Sequence, residues 1–99
     1  ARKRHKHVEV EVENQRDAIL AASSGATIVM LDNFSPVQIK KTITVLQKKK
    51  LRNKVKLEAS GGINSKNIAT YAKTGVDMIS VGSITNSVSG LDLSLEVCV

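Results

Sequence analysis

The sequence predicts an α/β fold built on parallel strands, and three observations predict it. Runs rich in β-forming residues begin near residues 8, 27, 55 and 78. A stretch with helical spacing separates each pair, so the strands run parallel through right-handed crossovers. The last three strands each end in polar or glycine residues: Asp32-Asn33, Glu58-Ala59-Ser60-Gly61-Gly62 and Gly82-Ser83. In parallel α/β proteins the carboxyl ends of strands carry the function. Four strands are too few to close a β/α barrel, which takes about 250 residues, so the chain is a small open sheet or part of a larger barrel.

Each element has a local cause. Residues 8–13 read Val-Glu-Val-Glu-Val-Glu, a strict alternation that predicts a strand with one apolar and one acidic face. Asn14, with Asp17 three residues on, starts a helix from Gln15 to about Ser24, and Ala18, Ile19, Ala21 and Ala22 form its apolar side. Gly25 stops it. Thr27–Leu31 is a continuous apolar run, read as a buried strand ending at Asp32. Ser35-Pro36-Val37-Gln38 combines a hydroxyl cap, a proline at the first helical position and a glutamine three after the cap. Ile39, Ile43 and Leu46 carry that helix to about Lys49, with lysines in the last turn, where the helix dipole favours cations. Val55–Glu58 is the third strand. Asn64 or Ser65 caps a helix with Ile68, Tyr71 and Ala72 inward, Gly75 ends it, and Met78–Val81 is the fourth strand. A last extended segment is expected at Leu91–Val97.

Ninety-nine residues make at most one domain with a modest core. With 41% hydrophobic and 24% charged residues the composition is that of a soluble globular chain, and no apolar run reaches the ~20 residues of a membrane span. No apolar segment follows the basic N-terminus, so a secretory signal is not expected. Cys98 is a lone cysteine, which excludes an internal disulfide, and a cytoplasmic setting is expected. The net charge of +6 is concentrated in two blocks, Arg2 to Lys6 and Lys40 to Lys56, and the second contains no acid. Phe34 and Tyr71 are the only aromatic residues, too few to make a stacking platform for single-stranded nucleic acid.

Three constellations carry chemistry. Glu9, Glu11 and Glu13 share one strand face, which is either a solvated edge or the inner wall of a barrel; carboxylates in a barrel must meet cations, a metal or a polyol. Asp32 and Asn33 follow a buried strand, and because Ser35-Pro36 already caps the next helix, they are spare for function. Ser60-Gly61-Gly62 and Gly82-Ser83 are small-residue turns after neighbouring strands. Glycine lets a backbone approach a ligand, and amides at a helix start suit a phosphate. His5 and His7 have no third ligand nearby, so no metal site is expected there.

Taken together, these residues resemble quinolinate phosphoribosyltransferase, also called carboxylating nicotinate-nucleotide pyrophosphorylase. The matching pieces are Val-Glu-Val-Glu-Val at 8–12, Met-Leu-Asp-Asn-Phe at 30–34, Leu-Glu-Ala-Ser-Gly-Gly-Ile at 57–63, Thr74-Gly75-Val76-Asp77 with Ile79-Ser80-Val81-Gly82, and Leu91 to Glu96, in the family order. The resemblance implies that residues 1–99 are the C-terminal part of an incomplete, TIM-like β/α barrel, without the N-terminal domain and first barrel strands. It implies a homodimer or higher homo-oligomer and no membrane. The implied reaction joins quinolinate to phosphoribosyl pyrophosphate with Mg²⁺, giving nicotinate mononucleotide, pyrophosphate and carbon dioxide in NAD synthesis. By resemblance, Glu11 and Asp32 are the catalytic carboxylates facing the ribose and metal-pyrophosphate region, with contact to the metal through water. Ser60, Gly61, Gly62, Gly82 and Ser83 surround the phosphate, and Glu58 sits beside that loop, orienting it or a bound lysine. Asn86 departs from the pattern, since several relatives carry His there. The cations that bind quinolinate in the family precede this segment. The 99-residue chain alone is therefore expected to be inactive.

Two other readings remain. A different phosphate-binding β/α barrel would share the glycine turns but not Leu31-Asp32-Asn33-Phe34 or the glutamate-alternating strand. A basic nucleic-acid-binding module would use the two lysine-rich blocks and would lose affinity steeply with salt.

Overall fold

The computed structural model describes residues 8–90. Five strands form one sheet in the order β1-β2-β3-β4-β5. They are β1 (Glu9–Val12), β2 (Ile28–Asp32), β3 (Lys56–Ser60), β4 (Met78–Val81) and β5 (Ile84–Ser87). The first four run parallel, joined through α1 (Gln15–Ser23), α2 (Pro36–Lys48) and α3 (Ile68–Ala72), and β5 returns antiparallel to β4. The repeated β-α reading is borne out: β2 ends at Asp32 as expected, and β3 reaches past its expected end at Glu58, to Ser60.

The helix starts follow their sequence signals. Asn14 Oδ1 accepts the Asp17 amide at 2.8 Å. Ser35 closes a full capping box: its hydroxyl accepts the Gln38 amide at 3.1 Å, and Gln38 Oε1 accepts the Ser35 amide at 2.8 Å. α3 is shorter than expected and starts later. Asn64 and Ser65 do not cap it. Asn64 Oδ1 is taken by the Lys66 amide and Asn67 Oδ1 by the Asn64 amide, which holds 64–67 as a turn ahead of Ile68.

The core lies on one side of the sheet. In-register neighbours project to the same face and alternate residues to opposite faces. Val10, Val12, Val29, Leu31, Leu57, Ala59 and Ile79 thus share the face packed with Ala18, Ala22, Ile39, Ile43 and Leu46 of the helices. Burying each large aliphatic side chain is worth roughly 1.5–3 kcal/mol. The valines of β1 face the helices, as the alternation predicts, and Glu9, Glu11 and Glu13 are exposed.

Two expectations fall differently. The segment Leu91–Val97 lies outside the described residues. β5 was not anticipated from the sequence: Gly82 and Ser83 form the two-residue turn of a β4–β5 hairpin, with Val81 paired to Ile84. Gly82 has φ +65 and Ser83 does not have positive φ, the pattern of a turn that needs glycine at its first central position. Ile84-Thr85-Asn86-Ser87 alternates weakly and is exposed throughout, so apolar patterning left it invisible.

Candidate active site

The face opposite the helices gathers the predicted polar residues. The register places Glu11 beside Met30, Met30 beside Glu58 and Glu58 beside Met78 in one row across the sheet. Asp32 pairs with Ser60 one row nearer the carboxyl ends, on the same face. The Ser60-Gly61-Gly62 and Gly82-Ser83 turns follow β3 and β4 directly, so both lie at that end of the sheet. Parallel neighbours are about 4.8 Å apart, so two such turns can reach one small ligand.

The carboxylates there fall into two kinds. Glu11 is exposed and Asp32 half-buried, and neither has a hydrogen-bond or ion-pair partner among the described residues. Glu58 is only 3% exposed. Its Oε2 accepts the Ser80 hydroxyl at 2.5 Å and the Thr85 hydroxyl at 3.2 Å, and those two hydroxyl oxygens lie 2.8 Å apart. Ser80 and Thr85 were missed in the sequence. Ser80 alternates with Met78 on β4, a faint signal that it shares Glu58's face; Thr85 had none, because its strand was not foreseen.

The loop after β2 is fixed from two sides. Phe34 is buried and its carbonyl accepts the Tyr71 hydroxyl at 2.9 Å, while the Asn33 amide donates to the Ser60 carbonyl at 2.8 Å. Asn33 itself has φ +61, a conformation that asparagine tolerates better than most residues. These contacts set where Asp32 stands relative to Ser60.

The two glycine turns differ from expectation in how they work. A Cβ on Gly61 would lie 2.5 Å from Asn33 Oδ1, so the absent side chain there makes room for Asn33. A Cβ on Gly82 would meet nothing within 4 Å, which leaves open space beside that turn. Neither turn opens directly into a helix: α3 begins at Ile68, and β5 follows Ser83. Helix-start amides therefore do not serve an anion at these turns; any amides that do belong to the turns themselves.

The opposite end of the sheet has its own groove, of about 640 Å³, lined among others by Thr27, Ile43, Gln47, Arg52 and Asp77. Arg52 donates there to the Val55 carbonyl at 3.1 Å, the Gly75 carbonyl at 2.7 Å and Asp77 Oδ2 at 3.0 Å. The same Asp77 oxygen accepts the Leu57 amide at 2.9 Å. No group of three or more His, Cys, Asp or Glu side chains is arranged to hold a metal among the described residues.

Residues 1–96 match the family model described as quinolinate phosphoribosyl transferase, C-terminal domain. The chain belongs to the quinolinate phosphoribosyltransferase family. It is 54% identical over 92 residues to a probable carboxylating nicotinate-nucleotide pyrophosphorylase of Methanothermobacter thermautotrophicus, covering 93% of this chain and 33% of that protein. The human carboxylating nicotinate-nucleotide pyrophosphorylase is 41% identical over 90 residues, covering 91% of this chain and 30% of that protein. Among solved structures, the nicotinate-nucleotide pyrophosphorylase of Francisella tularensis superposes with a TM-score of 0.69 at 43% identity, over 84% of this chain and 29% of that one. The chain thus spans about a third of the length of the curated relatives it matches. The parallel β/α sheet is the part of the family fold it shares. No helix among the described residues is long and apolar enough to cross a membrane.

Proposed function

We propose that this chain is the C-terminal part of the barrel domain of an enzyme that transfers a phosphoribosyl group from phosphoribosyl pyrophosphate to quinolinate. Decarboxylation completes the reaction and gives nicotinate mononucleotide for NAD synthesis. The observation that carries this reading is the grouping of Glu11, Asp32 and Ser60 on one sheet face, at the end where the two glycine turns lie, in a chain of this family.

The chemistry needs that grouping. Displacing pyrophosphate from the anomeric carbon builds positive charge on the ribose. Carboxylates held in advance at that point stabilise it without reorganising, and one such contact is typically worth about 2.7–4 kcal/mol. Glu11 and Asp32 are suited to this because no protein cation neutralises either among the described residues. The same two carboxylates fit Mg²⁺, which keeps most of its waters and takes one or two carboxylates plus substrate phosphates. Bound with pyrophosphate, Mg²⁺ would neutralise the leaving group. The Ser60 hydroxyl, the amides of Gly61 and Gly62 and the Gly82-Ser83 turn would surround the ribose phosphate, with open space at Gly82 to admit it. A homodimer or larger homo-oligomer and a cytoplasmic setting go with this reading.

The dicarboxylate of quinolinate needs cations that the family supplies upstream, so the full-length protein should make nicotinate mononucleotide and the 99-residue chain should not. Chromatographic detection of the nucleotide, with quinolinate and phosphoribosyl pyrophosphate supplied, tests both. A full-length protein without that activity would overturn the function. Turnover by the purified short chain would overturn the division of labour.

A further inference from the structure

The Gly82-Ser83 turn sits at the tip of a hairpin that the apolar core does not hold. All four residues of β5 are exposed, and Ile84, the apolar residue beside the turn, is 63% exposed. β5 is an edge strand, paired with β4 alone among the described strands. A short ribbon of this kind is marginal in water unless something else fixes it. Its base is fixed by the Val88 amide, which donates to the Asp77 carbonyl at 2.8 Å.

Nearer the tip, the fixing group is a hydroxyl. Ser80 and Thr85 are cross-strand partners, and Ser80 alternates with Met78, the row neighbour of Glu58, so both hydroxyls stand on the Glu58 face. Among the described residues, Thr85 is the one residue of β5 whose side chain reaches past β4, to Glu58 Oε2 on β3 at 3.2 Å. Each hydroxyl has one proton to donate. Ser80 gives its proton to Glu58 at 2.5 Å, and Thr85 shares its own between Ser80 Oγ at 2.8 Å and Glu58 Oε2. The anchor is firm, because Glu58 is 3% exposed on the middle strand of the five.

We propose that Thr85 is a positioning residue: its hydroxyl latches β5 to Ser80 and Glu58 and so holds the Gly82-Ser83 turn in place for the phosphate of the phosphoribosyl substrate. The inference rests on the reading of this face as a phosphoribosyl site and adds to it a residue that acts through the turn. Without the latch the turn leaves its place part of the time. A site present for only a fraction of the time binds more weakly by that fraction. Saturating substrate recaptures the turn, so KM rises while kcat survives.

Thr85→Val keeps the branched shape and the strand preference of threonine and removes the hydroxyl. Thr85→Ser keeps the hydroxyl. In the full-length enzyme, Thr85→Val should raise KM for phosphoribosyl pyrophosphate about tenfold, the scale of one hydrogen bond in a network ending on a charged group. Its kcat and its KM for quinolinate should stay within about twofold of the unsubstituted enzyme. Thr85→Ser should restore the first KM. A merely structural threonine would instead lower Tm and move both KM values together. Hydrogen exchange of the amides at 82–86 in the same full-length variants reads the latch without turnover, and it should quicken about tenfold in Thr85→Val but not in Thr85→Ser. Unchanged exchange in Thr85→Val would overturn the latch. Faster exchange with an unmoved KM would overturn its role in positioning the turn, as would an equal rise of KM in both variants. A full-length protein that makes no nicotinate mononucleotide would remove the phosphoribosyl reading and leave the latch to be judged by the exchange rates.

Discussion

The two ends of the parallel sheet use their polar groups in opposite ways. At the amino ends, one arginine serves two carbonyls and a carboxylate, and that carboxylate also accepts a strand amide. At the carboxyl ends, Glu11 and Asp32 have no partner among the described residues. The lesson is about where free energy is kept. Saturated groups at the amino ends stabilise the join between β3 and the turn before β4. Unsaturated groups at the other end remain available to a ligand. A groove of about 640 Å³ lies at the saturated end, so concavity alone does not mark the chemistry.

Five substitutions would break or sharpen this contrast, and the largest effect is expected at the unsaturated end. Glu11→Gln and Asp32→Asn in the full-length enzyme should each lower kcat by about 10²–10³-fold, the loss of one charge-stabilising contact. Tm should barely move, since neither side chain is paired. Near-normal kcat in both variants would show that these carboxylates are not catalytic.

Asp77→Ala at the saturated end should do the reverse. It removes the acceptor for Arg52 and for the Leu57 amide, and hydrogen bonds to charged groups are worth roughly 1.5–3 kcal/mol. Denaturant melts of the full-length protein should register that loss, while kcat of the surviving folded enzyme stays within about twofold. A kcat collapse with unchanged stability would reverse the assignment of the two ends.

Ser35→Ala tests a group that belongs to neither end's ligand chemistry. Losing the capping hydroxyl should cost about 1 kcal/mol, and Gly at the same position should cost less. Tyr71→Phe should cost about 0.5–1.5 kcal/mol of stability for one buried hydrogen bond. Because that bond anchors the loop carrying Asp32, a modest fall in kcat should accompany it. If kcat is wholly insensitive, the loop is held by Phe34 burial and the Asn33–Ser60 bond instead.

How much of this was legible in the chain differs by element. β1 declared both its faces through Val-Glu alternation, and the α2 start was readable down to the Ser35–Gln38 reciprocal bonds, because capping needs only neighbours in sequence. The carboxylates at 11, 32 and 58 and the turns at 60–62 and 82–83 were candidates from strand-end position alone. The α3 start was misread, since Asn64, Ser65 and Asn67 competed for one cap and the choice lay in hydrogen bonds between Asn64 and Asn67 and their neighbours.

The sequence by itself determined the order of strands and helices, their parallel sense and the side of β1 that meets the core. Those follow from periodicity, caps and the handedness of short connections, all of them local. Tertiary structure alone decided that Glu58 lies buried beneath Ser80 and Thr85, and that Gly61 is small to admit Asn33. It also decided that the turn at Gly82 folds back into β5. The first two depend on residues 22 to 28 positions apart being brought to one place, and register across strands is not encoded in the pattern of any single strand.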